Sequence, residues 1–167
     1  MEALNPRLMR EDRRKIAVEL IPADAAKLME RFRITKLYTR EDIFVIRVIS
    51  PTHIWIYPKR YFDAFEKMKR LFEEEYNNSR VKHLYQVPLE GVVSGLPCAT
   101  FLQDHWARGY VTSRVDKYQV RINCVDYGIT MQCSVRNVKY LQKRFMTLPA
   151  LAILIGMSDV KPKFTED

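Results

Sequence analysis

Four short apolar segments between Cys98 and Ser134 constrain the possible folds more than any other feature of this sequence. They are rich in β-branched and aromatic residues, and they cover residues 98–102, 106–112, 118–125 and 130–134. Only short turns separate them. Strands this short and this closely spaced are typical of a small, strongly bent β-barrel. Residues 137–141 are either a short closing strand or a turn.

The residues before these segments change from strand-like to helical periodicity. Residues 43–49 (IFVIRVI) are β-branched, Ser50-Pro51 interrupts them, and residues 53–57 (HIWIY) continue as the second strand of a hairpin. Residues 60–76 then carry apolar side chains at helical spacing, namely Tyr61, Phe65, Met68, Leu71, Phe72 and Tyr76. This spacing predicts an amphipathic helix that, together with Trp55, belongs to the structural core.

The two ends of the chain complete the predicted organisation. Residues 6–20 and 22–33 each begin with a proline in the first turn, which predicts two helices. Residues 145–156 have the composition of an apolar connector that leaves the barrel. The sequence therefore divides into an N-terminal helical segment (1–34), a hairpin-and-helix half with its linker (35–90), a barrel (91–146), and a C-terminal connector and tail (147–167).

Several classes of protein are disfavoured by composition. The longest apolar run, residues 148–157, contains Pro149 and Gly156 and is too short to cross a bilayer, so we expect no membrane span. The charged N-terminus lacks the apolar core of a signal peptide, which favours an intracellular protein. The three cysteines and three histidines have none of the usual metal-site spacings, so we expect neither a metal nor a cofactor.

The sequence also gives no reason to expect catalysis. Asp104-His105 is the pair nearest to a hydrolase constellation, but no nucleophile elbow or oxyanion-loop motif accompanies it. The phosphate-binding loops GxxxxGK and GxGxxG are absent from the sequence. The sequence therefore favours a non-catalytic binding protein.

Four pieces of the sequence occur in the order and at the spacing of one known family. They are SPTHIWI (50–56), GLPCATF (95–101), WARGYV (106–111) and VDYG (125–128) followed by Leu148-Pro149. With them the chain resembles, over about residues 40–160, an extended Tudor domain, in which a small Tudor barrel is embedded in a staphylococcal-nuclease-like, OB-type domain. The resemblance implies a mainly β fold with helices (α+β), in which the barrel is joined to a partial nuclease-like subdomain.

The same resemblance implies a peptide-binding site. Barrels of this family enclose methylated arginine or lysine in aromatic side chains, whose ring faces attract the cation. By position, two walls of this cage fall on Phe101 and Tyr127. Ala107 and Cys124 take the places of two further aromatic walls, and Ile129 takes that of the asparagine that bonds the guanidinium. The cage implied by the resemblance is therefore incomplete.

An incomplete cage changes the expected ligand. Two missing aromatic faces and one missing hydrogen bond remove most of the discrimination between methylated and unmodified arginine. We therefore expect a peptide with an unmethylated arginine or an apolar anchor to bind at the rim between Phe101 and Tyr127. The small Ala107 would leave space there, and Asp126 would attract the guanidinium.

The candidate residues also have structural interpretations. Phe101 suits the barrel core, and Trp106 suits packing against the helix. Cys124 lies on one strand face with Val120 and Ile122, which favours a buried thiol. Tyr127 is the better candidate for binding, because a turn after a strand holds its side chain at the rim of the barrel.

The resemblance further implies partners and a cellular setting. Proteins with extended Tudor domains are often scaffolds that bind the arginine-rich tails of Piwi-class Argonautes in germline granules, where they support piRNA production and transposon silencing. For this chain the resemblance implies a scaffold in the cytoplasm, in perinuclear germ granules (nuage), that binds such tails.

Single-stranded RNA binding is the first alternative. The sequence has a formal net charge of +8, and OB-type folds hold single strands with basic grooves and aromatic platforms. The basic residues close to Trp55, Tyr57 and Tyr61 are Lys59, Arg60, Lys67, Lys69 and Arg70. Glutamates are interleaved with them, however, which is typical of a solvated helix face.

Self-association is the second alternative. In the family, further strands and a helix follow the barrel, whereas only a short segment follows Leu148-Pro149 here. The chain is then a fragment of a longer protein, or the helices predicted within residues 6–33 cover the sheet, or a second copy covers it. An uncovered sheet edge favours pairing with another strand.

Overall fold

The bounds of the strands and helices follow the predicted periodicities closely. The computed structural model describes residues 40–79 and 83–158, so the two helices predicted within residues 6–33 lie outside the described residues. The described strands are β1 (Ile43–Ser50), β2 (His53–Pro58), β3 (Pro97–Leu102), β4 (His105–Arg114), β5 (Gln119–Cys124), β6 (Ile129–Ser134), β7 (Lys139–Tyr140) and β8 (Ile153–Ile155). The described helix of more than one turn is α1 (Phe62–Asn77), and 3-10 turns cover Lys59–Tyr61, Leu89–Gly91, Val135–Asn137 and Lys143–Met146.

Five strands form the barrel. Their order is β6-β5-β4-β3-β7, and all neighbours are antiparallel. Cys133 of β6 and Val138 beside β7 come from opposite ends of this sheet, yet they pack in one core cluster with Val111 and Ile122. The sheet therefore curls around its own core, as the closely spaced strands predict, and β7 is the closing strand.

The first sheet along the chain lies outside the barrel and has the order β1-β2-β8. The hairpin β1-β2 was expected, but β8 was not, because residues 145–156 resemble an irregular connector in sequence. That prediction is wrong for Ile153–Ile155. These residues pair with β2, and Ile153 packs with Ile54 and Ile56 in a small apolar cluster.

Helix α1 joins the two sheets. Its buried face consists of Phe65, Met68, Phe72 and Tyr76, each of which contributes about 1.5 to 3 kcal/mol through burial. These side chains pack against the outer face of β3 and β4 and against Phe145 after the barrel. Among the helices of the described residues, none combines the length and the apolar character that a membrane span requires.

An ion pair between Arg108 and Asp126 lies in the core where the barrel meets the segment after it. Both side chains are 1% exposed. The guanidinium donates to both carboxylate oxygens of Asp126 at 2.6 and 2.8 Å, and to the carbonyl oxygens of Phe145, Leu148 and Pro149. A buried charge needs such complete pairing, because an unpaired one carries a large desolvation cost.

The turn after β5 brings the barrel into contact with the first sheet. Gly128 has φ of 61°, and a Cβ placed on it would lie 2.2 Å from Cδ2 of Trp55. Only glycine accommodates both this backbone conformation and this close approach. Arg47 of β1 donates to the carbonyl oxygen of Gly128 at 3.1 Å. We refer to Arg47, Trp55, Arg108, Asp126 and Gly128 together as the sealed junction.

Candidate functional site

A groove of about 510 Å³ lies between helix α1 and one end of the barrel. Its lining consists of Glu66, Lys69, Arg70, Glu73, Glu74, Asp104, His105, Trp106 and Tyr127. The first five come from successive turns of one helix face, and the other four come from the β3-β4 turn, β4 and the turn after β5. We refer to this feature as the groove.

Tyr127 stands between the helix and the barrel. Its backbone N–H donates to the carbonyl oxygen of Cys124, which fixes the turn after β5. Its ring lies 6.0 Å from that of Phe65 and 5.0 Å from that of His105. Burial, and secondly the nearby Asp126 carboxylate, raise the pKa of the Tyr127 phenol, so this side chain stays neutral. It offers the groove an uncharged aromatic surface.

Trp106 provides a second aromatic side chain and is fixed by the helix. Its backbone N–H donates to Glu73 at 2.5 Å, and its indole N–H donates to Asn77 at 3.0 Å. The ring packs 5.3 Å from that of Tyr76. The packing of Trp106 against the helix therefore matches its structural interpretation, while the exposed part of the side chain also lines the groove.

The groove carries an excess of carboxylates. Four acidic side chains line it (Glu66, Glu73, Glu74 and Asp104), against the two basic ones of Lys69 and Arg70. The sequence as a whole has a formal net charge of +8. An acidic groove with aromatic surfaces, in a basic protein, is complementary to a cationic ligand.

Three of the positions at which the family has cage residues face the interior of the barrel. Ala107 is 2% exposed and Cys124 is 0% exposed, and Ile129 packs against the same core cluster. Burial, and secondly Asp126, raise the pKa of Cys124 to about 12, so it is an inert thiol. The cavity beneath Ala107 and Tyr127 measures only about 10 Å³. The space expected next to Ala107 is therefore closed.

Asp126 does not lie at the rim. Its side chain is 1% exposed, and Arg108 bonds both carboxylate oxygens. The backbone N–H of Leu151 donates to it as well. The expectation that Asp126 attracts the guanidinium of a partner is wrong, because its charge is already balanced inside the protein.

Phe101 lies outside the groove. It is 41% exposed, and its ring packs edge-on against Trp106 with 5.4 Å between centroids. Phe101 and Trp106 are partners in the β3-β4 register and therefore lie on the same, outer face of the barrel. Trp106 lines the groove together with Tyr127 whereas Phe101 does not, so the rim expected between Phe101 and Tyr127 does not coincide with the groove.

A family model described as Tudor domain matches residues 36–159. The chain belongs to the Tudor domain family. Tudor domain-containing 6 of Danio rerio is 31% identical over 121 residues, which cover 71% of this chain and 6% of that protein. The present Tudor domain therefore spans only a small part of the length of the curated relatives that it matches.

Solved structures establish the fold as that of an extended Tudor domain. The extended Tudor domain TD3 of mouse TDRD1, in complex with a MILI peptide that contains dimethylarginine, has a TM-score of 0.67 and 16% identity. The match covers 77% of this chain and 65% of that one. The D287A variant of the Drosophila melanogaster Papi extended Tudor domain, in complex with an unmethylated Piwi N-terminal peptide, has a TM-score of 0.66 and 20% identity, over 74% of this chain and 61% of that one.

The basic residues considered for RNA binding are largely paired in this Tudor domain. Lys59 lies 3.8 Å from Asp42, Arg60 pairs with Glu41, and Lys69 lies 2.5 Å from Glu66. The nearby aromatic rings pack against protein neighbours: Tyr57 lies 5.1 Å from Phe44. Three of the five basic residues therefore have acidic neighbours, whereas Lys67 and Arg70 are exposed.

The described residues contain no cluster of metal-ligating side chains. Within residues 40–79 and 83–158, no group of three or more histidine, cysteine, aspartate or glutamate side chains is placed to hold an ion. The three cysteines are buried and free, in the core of the barrel. Burial raises the pKa of Cys98 well above its ordinary value, which keeps the thiol protonated.

The helix side of the groove could not be predicted from the charge pattern alone. Glu66, Lys69, Arg70 and Glu73 follow the i, i+3, i+4, i+7 spacing of one helix face. Acids and bases alternate among these residues, which is typical of a solvated face. Their position beside the apolar face of Phe65 and Phe72 was the signal that this charged face lies at the edge of an interface.

Proposed function

We propose that this domain is a non-catalytic peptide-binding module, and that the groove binds arginine-containing peptide tails. The observation that carries the proposal is the juxtaposition of two aromatic side chains, Trp106 and Tyr127, with four carboxylates between helix α1 and the barrel. Tudor domains are binding modules, which agrees with the absence of catalytic motifs from the sequence.

Arginine fits this chemistry better than other residues do. Its guanidinium is planar, stacks on aromatic faces and forms bidentate hydrogen bonds with carboxylates. Trp106 and Tyr127 supply the faces, and the exposed Glu74 supplies a carboxylate at the edge of the groove. An extended peptide with an arginine in the groove would satisfy both requirements at once.

We further propose that binding depends weakly or not at all on arginine methylation. Methyl groups increase affinity only where an enclosed aromatic site surrounds them. Ala107, Cys124 and Ile129 face the barrel core, and the cavity below Tyr127 is too small for a guanidinium. The groove above it is open and acidic, so the charge of the ligand matters more than its methyl groups.

The proposed partners are tails of Piwi-class Argonaute proteins. The support is the fold similarity to the TDRD1 and Papi domains, whose peptide complexes contain MILI and Piwi sequences. On this proposal the chain acts in piRNA biogenesis and transposon silencing, in cytoplasmic germ granules.

RNA binding and self-association stay predictions. Self-association can be tested at the exposed residues Val45, Val48 and Ile49 of β1.

Calorimetric titration with a short Arg-Gly repeat peptide tests the proposal. Tyr127→Ala should weaken binding by about 2 kcal/mol, since aromatic anchors at the centre of an interface dominate its energy. Tyr118→Ala is the matched control, because Tyr118 is 58% exposed on the β4-β5 turn and lies outside the groove.

Two results would contradict the proposal. One is wild-type affinity of a folded Tyr127→Ala variant for every arginine peptide that the wild type binds. The other is a stronger loss in Tyr118→Ala than in Tyr127→Ala. Salt-sensitive binding of single-stranded RNA, without peptide binding, would favour the RNA alternative instead.

A further inference from the structure

A lysine of the protein itself lines the groove and lies over an aromatic ring beside it. Lys69 of helix α1 has a half-buried side chain, 35% exposed. Its ammonium lies 2.5 Å from a carboxylate oxygen of Glu66 and 5.1 Å from the centre of the Phe65 ring. This geometry combines an ion pair with a cation-π contact, which are the two interactions proposed above for an incoming arginine.

The ring beneath Lys69 belongs to the same aromatic set as the groove. Phe65 lies 6.0 Å from Tyr127, and both line the small cavity below the groove together with Trp106. We refer to Phe65, Trp106 and Tyr127 as the aromatic corner. Lys69 lines both the open groove and that small cavity, so it lies at the boundary between them.

We propose that Lys69 is the specificity-determining residue of the groove: its ammonium fills the cation position over Phe65, and so confines an incoming guanidinium to the Trp106 and Tyr127 side of the aromatic corner. The proposal rests on the proposed function, since it names what limits ligand entry at that site. A peptide arginine then binds alongside Lys69, near the exposed carboxylates, or must displace it from Phe65 and Glu66.

Two physical consequences follow from an internal cation at this position. Its positive charge repels an incoming guanidinium over a short distance, and its contacts with Phe65 and Glu66 must be lost before a ligand takes them. Methyl groups on the ligand then stay away from the Phe65 ring. Lys69 therefore limits total affinity and also lowers the advantage of a methylated over an unmodified arginine.

Arg70 provides an internal comparison. It is the next residue of α1, is exposed, and lines the same groove. It also carries the same charge as Lys69. Lys67 carries that charge on the same helix but lies outside the groove and is exposed. If only the positive charge lowered the affinity for a cationic peptide, Lys69 and Arg70 would have similar effects. The contact with Phe65, in contrast, is made by Lys69.

The test compares Lys69→Met, Arg70→Met and Lys67→Met, each of which removes one positive charge and retains an unbranched side chain. The probes are an Arg-Gly repeat peptide in unmodified and symmetrically dimethylated forms, titrated calorimetrically. Lys69→Met should bind about fivefold more tightly than the wild type, with the larger gain for the dimethylated peptide. Arg70→Met should gain less than Lys69→Met for both peptides, and Lys67→Met should match the wild type.

Lys69→Gln is a second variant that removes the charge with a polar side chain, and thermal melting confirms that each variant is folded. A gain in Lys69→Met that is no larger than that of Arg70→Met overturns the role of Lys69 and leaves the proposed function standing. Binding by Lys69→Met without binding by the wild type supports Lys69 and contradicts the proposed function for the wild type. Absence of binding in both contradicts both proposals.

Discussion

Asp126 and Tyr127 are neighbours in the chain, yet they belong to regions with opposite properties. In the sealed junction, Arg108 and Asp126 are both 1% exposed and their charges cancel within the protein. In the groove, Tyr127 is half-buried and the neighbouring Glu74 and Arg70 are exposed to solvent. A charge that is fully paired holds the fold together, whereas a charge left in contact with water stays available to a partner.

The three residues 126–128 of the short motif VDYG have different roles. Asp126 pairs with the buried Arg108, Tyr127 lines the groove, and Gly128 packs against the Trp55 ring. The turn therefore couples the position of the binding side chain to packing on both sides of it. Changes in the sealed junction should affect stability, and changes in the groove should affect affinity.

The largest effect on stability is expected from Arg108→Met. This change leaves the buried Asp126 carboxylate without its cation and removes three further hydrogen bonds to carbonyl oxygens. It should lower the free energy of unfolding by about 3 to 5 kcal/mol, as measured by urea denaturation. The double variant Arg108→Met/Asp126→Leu should lose less than the single one, since no unpaired charge remains. Equal stability of the single variant and the wild type would mean that the pair does not hold the junction.

Trp55→Ala should have the next largest effect. The indole packs directly on Gly128, and its removal leaves a gap between the first sheet and the barrel. Since Trp55 is only half-buried, we expect a loss of about 3 kcal/mol, the lower end of the range for aromatic-to-alanine changes. An unchanged melting temperature would show that the two sheets do not depend on this contact.

Glu74→Lys should alter affinity without altering stability. The exposed carboxylate lines the groove, so reversal of its charge should weaken binding of an Arg-Gly peptide by about 1 kcal/mol at low salt, and less as salt screens the interaction. Glu90→Lys is the matched control, since Glu90 is exposed on the linker before the barrel. Similar losses in both variants would indicate an effect of net charge and not of the groove.

The smallest effect is expected from methylation of the ligand. Symmetric dimethylation should change the affinity of an arginine peptide by less than tenfold, about 1.4 kcal/mol, because Ala107, Cys124 and Ile129 face the barrel core. Parallel titrations of the two peptides measure the ratio. A hundredfold preference for the methylated form would show that an aromatic enclosure exists where the groove is now open.

Much of the fold could be predicted because the hydrophobic period changes clearly along the chain. The strands of the barrel and the apolar face of α1 follow local patterns of this kind. Their bounds are confirmed to within a few residues, although Leu71, predicted for the apolar set of the helix, is 43% exposed. Strand β8 could not be predicted, because Ile153–Ile155 is a strand only through its pairing with β2. Three apolar residues after a proline-containing segment have no strand pattern of their own.

The candidate site was less predictable than the fold, for a different physical reason. Alignment to a family motif assigns Phe101 and Asp126 to the same site as Tyr127, but it cannot show which side of a strand or turn each side chain takes. Asp126 is buried because Arg108 balances its charge, and Phe101 packs against Trp106 without lining the groove. Such pairings depend on residues distant in sequence.

The return of the chain to its first sheet has a consequence for the order of folding. Ile54 of β2 pairs with Ile155 of β8, and the whole barrel lies between them in sequence. Pairings between distant residues form late, because the intervening chain must first lose its conformational entropy. The folded barrel removes this obstacle, since Ala152 bonds to Val125 and holds the start of β8 close to β2. The pairing of β8 with β2 is therefore expected to form last and to open first, while the barrel stays closed.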